Sequence, residues 1–389
     1  MTYFILRKCG ILRLHERFFN GNKMTPRLPN KIYSLDILRG VAALAVVFWH
    51  WQHFFYIGDS AKDVVFENQP FYNSLTILYK HGDAAVELFF SISGFIFYWL
   101  YSELISKKEI KAKEFITNRL SRLYPLYIIT FIAVLALQFL YREHHDSYFV
   151  YQQNDLYHAI LNILMIPAWG FEHGWSFNAP VWSVSIEMML YCIFFIACSF
   201  KKRGLYLIPI FIFIGQIIFL INYKIGIGVF SFFCGGATYI LAYTLIKKLG
   251  DKSILIALGY LSASWFFIIK FDISNTFIVT GFGFSSLILF LTTSSIIPSL
   301  NDFLSRFSWI GDMSYSSYLI HFPLQITFVL CANLLGYGSD IFYTPMSLII
   351  FMATLIPLSL LTHKHFEMKA QGYIREKLNA PTSKSIKQG

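Results

Sequence analysis

The chain has 389 residues, of which 56% are hydrophobic and 19% aromatic, while only 14% carry a charged side chain. A soluble domain carries about 25% charge, and the mean hydropathy here is +0.53, so a water-soluble globular protein is excluded and a polytopic membrane protein is expected. The net charge of +10 points to no nucleic-acid partner, because the basic residues are distributed as membrane orientation requires.

Residues 1–33 form a basic, weakly patterned arm, broken by Arg7, Lys8, Arg13 and Arg17 before any apolar run of signal-peptide length develops. The arm reads as an interfacial helix or a cytosolic extension. Met24 is an alternative start, since the organised sequence begins just after it. Ten apolar runs follow, each long enough to cross a bilayer with some tilt: 37–56, 83–103, 121–140, 180–199, 205–222, 225–246, 253–270, 274–296, 312–334 and 343–362. The expected architecture is an all-α bundle of about ten transmembrane helices. The arm occupies 1–33, the membrane domain 34–363, and a basic tail 364–389. The shorter run at 156–169, which Pro167 closes, sits in a polar loop and reads as a re-entrant or surface helix.

With both termini inside, 26 of the 32 Lys and Arg fall in cytosolic segments. Only Lys62, Lys80, Arg142, Lys224 and Lys270 fall outside, and Arg39 lies within the first span. The positive-inside rule therefore selects this orientation, with both termini cytosolic. Five scattered cysteines show no metal-ligand spacing and read as small core fillers. His144, His145 and Asp146 lie together on an outer loop, but they lack ligand spacing and no metal is expected there.

Several polar residues interrupt the spans, and a span carries ionisable groups only at a cost of ~2.5 kcal/mol or more near the bilayer centre. Arg39 and His50 are eleven residues apart in the first run. That is within about 20° of three whole turns, so the two share a helix face ~16 Å apart along the axis. Arg119 and Arg122 lie one turn apart at the cytosolic end of the third span. Counted from the outer ends of their runs, His50, Glu87 and Glu187 lie ~9, ~6 and ~10 Å deep. The residues thus sort into a cytosolic layer of three arginines and an outer layer of one histidine and two carboxylates. The plain alternatives are membrane-anchoring arginines and a hydrogen-bonded core histidine. His321, mid-span in the ninth helix, reads as a core histidine held by tyrosine hydroxyls. Arginines on the cytosolic side can clamp phosphates, and a histidine beside a carboxylate near the outer side can act as general base or acyl acceptor.

The segments LDILRGVAALAVVFWH, GDAAVELFFSISGFIFYW, FITNRLSRLYPLY, VWSVSIEMMLY and GDMSYSSYLIHFPL resemble, in order, the blocks of the membrane-bound acyltransferase 3 family. The resemblance runs from about residue 31 to 365. It implies a ten-helix bundle in the bacterial inner membrane that takes an acyl group, usually acetyl, from cytosolic acyl-CoA. The acceptor it implies is a hydroxyl of a surface or secreted polysaccharide or of a lipid-linked glycan precursor. By the match, His50 is the essential histidine, and Arg39, Arg119 and Arg122 serve the CoA side as donor-binding residues. Glu87 and Glu187 are the expected acidic partners of His50. The chain departs from the family where Glu187 is followed by Met188, where Asn118 precedes Arg119, and in lacking an appended esterase-like domain. The competing function is a transporter or exporter of a polar or glycan-related solute, since intramembrane charges also mark solute pathways. A non-enzymatic scaffold leaves both polar layers without a role.

Overall fold

A computed structural model describes residues 28–61 and 64–379. The rest of the arm, with Met24, and the end of the tail lie outside the described residues. Inside lipid a backbone must satisfy its own N–H and C=O groups, so the apolar runs become helices. Helix α1 spans Tyr33–Trp49 and tightens into a 3₁₀ turn over His50–Phe55. A short hairpin pairs Tyr56–Ile57 with Ser60–Ala61. There follow α2, Ala85–Ser106; α3, Ala112–His144; α4, Trp182–Ser199; α5, Ile208–Phe219; and α6, Tyr223–Leu249. The bundle is completed by α7, Lys252–Lys270; α8, Thr276–Ser294, with a π turn at Val279–Phe284; α9, Ser314–Leu334; α10, Pro345–Thr362; and α11, Met368–Asn379.

Nine stretches among the described residues are long and apolar enough to cross a membrane. The tenth expected span, 205–222, is shorter: α5 has 12 residues, ~18 Å of rise. It is joined to its neighbours by tight turns. Gly204 abuts Ala197 near the end of α4, and Phe219 abuts Gly226 near the start of α6. The 3₁₀ segment Lys201–Leu207 precedes it and, at ~2.0 Å per residue, supplies the missing length. Helix α3 goes the other way. Its 33 residues rise ~50 Å, beginning well inward of the apolar run that announces it.

The segment at 156–169 folds back against α3 and α4. Asp155 caps a helix at Leu156–Ile163 by accepting from His158 N–H, and a 3₁₀ turn follows at Pro167–Trp169. Tyr124 of α3 donates to the Ile163 carbonyl at 3.0 Å, and Trp169 donates through Nε1 to the Ser185 carbonyl of α4 at 2.9 Å. The loop therefore dips well below the outer end of α3 at His144. The tightest crossing joins α2 to α6. A Cβ on Gly94 would collide with the Phe232 carbonyl, and one on Gly235 with the Ser91 carbonyl. Only glycine lets the two backbones meet there.

Candidate active site

Arg39 of α1, Arg119 and Arg122 of α3 and Glu187 of α4 line a single cavity. The layers expected from the sequence are therefore not separate at Glu187. Depth counted from the ends of apolar runs placed Arg119 and Arg122 at the membrane edge. Because α3 begins at Ala112, they lie ~10–15 Å along the helix from its inner end. The cavity has a volume of about 80 Å³. Its wall along α2 runs from Phe89 to Tyr101, ~18 Å of helical rise, so it is a passage along the bundle axis.

The Arg119 guanidinium is held by rings rather than by a carboxylate. Arg119, 4% exposed, donates to the Tyr101 hydroxyl at 2.5 Å. It lies 4.9–5.9 Å from the ring centres of Tyr101, Phe97 and Phe115. Phe97 is in turn stacked on Tyr191 at 4.3 Å. Glu187 accepts from Ser93 at 3.1 Å and from the Tyr191 hydroxyl. The charges of Arg122, Asp36 and Glu187 act on Arg39. Among the described residues no ion pair joins a carboxylate to any of the three arginines. The Nε atoms of Arg119 and Arg122 are buried without a hydrogen-bond partner. Three cations and one carboxylate around one cavity leave an excess of two positive charges among its lining residues.

Tyr318 of α9 and Ser183 of α4 also line this passage. Tyr318 donates its hydroxyl to the Pro180 carbonyl at 2.5 Å, so the Ser183 hydroxyl, 2.8 Å away, is the donor between the pair. Through its own carbonyl Tyr318 accepts from Nδ1 of His321 at 2.7 Å. Nε2 of His321 lies 3.2 Å from Nδ1 of His50, with the two rings stacked at 5.0 Å. His50 is 6% exposed and His321 fully buried.

A second chain of hydrogen bonds holds the backbone at His50. Gln325 donates to the His50 carbonyl at 2.8 Å, and its Oε1 accepts from Nδ1 of His53 at 3.3 Å. Nε2 of His53 accepts from the Tyr151 hydroxyl at 3.3 Å. Burial pushes Tyr151 well above the ordinary phenol range, which keeps that hydroxyl a donor. Beyond Tyr151 the chain reaches the outer loop: its ring lies 6.4 Å from Trp175, over which Lys224 sits at 3.4 Å while paired with Glu172.

The structure does not bring either expected carboxylate to His50. Glu187 faces the arginines, and one oxygen of Glu87 is buried without a partner, nearer Asp83 and Tyr223. His321 occupies the position expected for an acid, and its partner is the Tyr318 carbonyl rather than a tyrosine hydroxyl. Sequence reasoning missed His53, Gln325, Tyr318 and Ser183. A signal was available for three of the α9 residues: 318, 321 and 325 are spaced i, i+3, i+7, one polar stripe on an otherwise apolar helix. On the outer loop, Nδ1 of His144 and of His145 lie against the Leu140 and Tyr141 carbonyls at 3.0 and 2.9 Å. Among the described residues no group of three His, Cys, Asp or Glu is placed to hold a metal ion.

Comparison with known proteins places this geometry in context. A family model described as "Acyltransferase domain" matches residues 32–364. "Protein 2 in picA locus" of Rhizobium radiobacter is 32% identical over 117 residues, covering 30% of this chain and 50% of that protein. "Acyltransferase MdmB" of Streptomyces mycarofaciens is 27% identical over 174 residues, covering 44% of this chain and 40% of that protein. The chain thus spans half or less of the length of these curated relatives. No solved structure matches it.

Proposed function

The chain belongs to the acyltransferase family whose model covers residues 32–364, and from that premise we propose that it transfers an acyl group, acetyl in the first instance, from cytosolic acyl-CoA to a glycan hydroxyl on the outer side of the membrane. One observation carries the reading. A passage lined at one end by three arginines, of which Arg119 and Arg122 have an Nε without a hydrogen-bond partner, leads to Tyr318, whose carbonyl anchors a histidine pair at the other. In this reading Arg39, Arg119 and Arg122 hold the phosphates of the donor. The pantetheine arm lies along the aromatic wall of α2, and the thioester comes to rest near Ser183 and Tyr318. The acceptor is a polysaccharide or its lipid-linked precursor and enters past Trp175 and Tyr151. His50 takes the hydroxyl proton on Nε2 as the oxygen attacks the thioester carbonyl. The carbon–sulfur bond breaks, and the leaving thiolate takes the proton back from Nε2, giving the ester and free CoA. Glu187 serves the donor end by tempering its positive charge, and Glu87 is left for the acceptor side.

The distribution of 26 of 32 basic residues to one face supports a multi-pass protein of the bacterial inner membrane with both termini cytosolic. The test uses the full chain in nanodiscs with acetyl-labelled acetyl-CoA and the glycan fraction of the host membrane. Label should move to glycan in the wild type. His50→Ala should slow transfer by ~100-fold or more while acyl-CoA affinity stays within about twofold. A transporter leaves the label on CoA in both. Transfer retained by His50→Ala, or lost only because the donor no longer binds, would overturn the assignment.

A further inference from the structure

A ring nitrogen that faces a carbonyl oxygen has to carry the hydrogen, because the carbonyl can only accept. Nδ1 of His321 is 2.7 Å from the Tyr318 carbonyl, so it is the protonated nitrogen of that ring. In the neutral imidazole Nε2 then bears a lone pair and accepts. Its partner at 3.2 Å is Nδ1 of His50, which must donate. The proton of His50 is thereby fixed on Nδ1, and Nε2 is left as the basic nitrogen of the ring.

We propose that His321 is a positioning residue for the reaction: it sets the tautomer of His50 by accepting from Nδ1–H. The inference rests on the reading of His50 as the base. The alternative protonation, a doubly protonated His321 donating to His50, is disfavoured by position. His321 is 0% exposed, His50 and His53 are its ionisable neighbours, and among the described residues no carboxylate bonds to any of the three. A cation without a counter-charge in that place carries the full cost of an intramembrane ion. His53 cannot substitute for His321, because its two nitrogens are taken by Gln325 and Tyr151. In water-exposed enzymes the group that orients a catalytic histidine is usually a carboxylate. Within a bilayer a second imidazole offers the same acceptor geometry with no net charge, so neither Glu87 nor Glu187 is needed beside His50.

The test is nitrogen NMR of the full chain in nanodiscs with ¹⁵N-labelled histidine, the His50 signals being identified by their loss in His50→Gln. The wild type should show His50 protonated on Nδ1 and bare on Nε2. His321→Leu removes the acceptor: the tautomer should move toward Nε2–H, and kcat should fall on the order of 100-fold or more with donor affinity within about twofold. His321→Gln places an amide oxygen near the position of Nε2. It should keep the Nδ1–H tautomer and recover at least about tenfold of the rate lost in the Leu variant. Should the Leu variant fail to fold, the wild-type spectrum and the Gln variant decide. The proposal is overturned if wild-type His50 is protonated on Nε2, if the Leu variant keeps both tautomer and rate, or if Gln restores neither. If the wild type transfers no acyl group at all, the proposed function falls, while the nitrogen shifts still judge the histidine pair.

Discussion

Arg122 is the sharpest place to test the donor end. It lines the cavity, and its Nε is buried without a partner. Unlike Arg119, for which three ring contacts are recorded, its truncation leaves no aromatic slot empty. Replacing it with Ala should therefore remove charge from the site with little loss of packing. One charge-assisted hydrogen bond to a phosphate is worth ~1.5–3 kcal/mol, which is about tenfold to a hundredfold in Kd. Lys at the same position keeps the charge but not the planar fork, and should recover part of the loss. The assay is calorimetric titration of the chain in nanodiscs with CoA and, separately, with pantetheine, which lacks the phosphates. Arg122→Ala should weaken CoA alone, and melting temperature should be unchanged. Equal weakening of both ligands would mean that the substitution distorts the passage. Weakening of neither would remove the arginines from donor binding altogether.

Two further substitutions follow from the same geometry. Glu187→Gln removes the one carboxylate among the arginines lining the cavity and raises its excess charge, so CoA should bind about fivefold tighter, near 1 kcal/mol. Its affinity should also fall more steeply with added salt; weaker binding, measured by the same titration, would mean that Glu187 orients a guanidinium fork instead. Gln325→Leu leaves the His53 Nδ1–H unsatisfied at a buried position and removes the side-chain donor from the His50 carbonyl, a penalty of about 2 kcal/mol. It should lower the melting temperature in nanodiscs and slow turnover, and a variant that melts with the wild type would show that Gln325 does not hold the turn.

What the sequence revealed and what it hid divide along physical lines. Lipid forces an apolar run into a helix, so nine of the expected spans were legible as helices long and apolar enough to cross a membrane, and Arg119 and Arg122, one turn apart, do line one cavity. The face shared by Arg39 and His50 holds only as far as Trp49, where α1 gives way to the 3₁₀ turn. Depth was the less legible quantity. Apolar runs mark where side chains meet lipid, whereas α3 continues inward of its run and carries its arginines to the level of Glu187. The pairing of His50 with His321 spans 271 residues. Hydrophobic periodicity says which face of a helix is buried, but not which neutral polar groups meet there. The acid partner was expected because Glu87 and Glu187 lie at a depth similar to that of His50 by helical arithmetic, and depth alone does not say which helix faces meet.

The two ends of the passage solve opposite problems. On the proposed function the donor end keeps a surplus of positive charge that its own residues leave unsatisfied, so that a polyanion would be stabilised there. The chemical end must do the reverse, because a cation beside His50 would draw down the basicity of Nε2. Placing arginines within reach of a catalytic histidine would therefore weaken the base. The arrangement avoids this in three ways: the arginines sit toward the inner end of the passage, Glu187 lies among them as a partial screen, and the groups between them and His50 are the uncharged Ser183, Tyr318 and His321. The proton taken from the acceptor returns with the leaving thiolate, so the histidine network begins and ends each turnover neutral. On this mechanism the proton passes from the acceptor to the thiolate through His50 alone, and the net charge that crosses the low-dielectric interior in one cycle is zero.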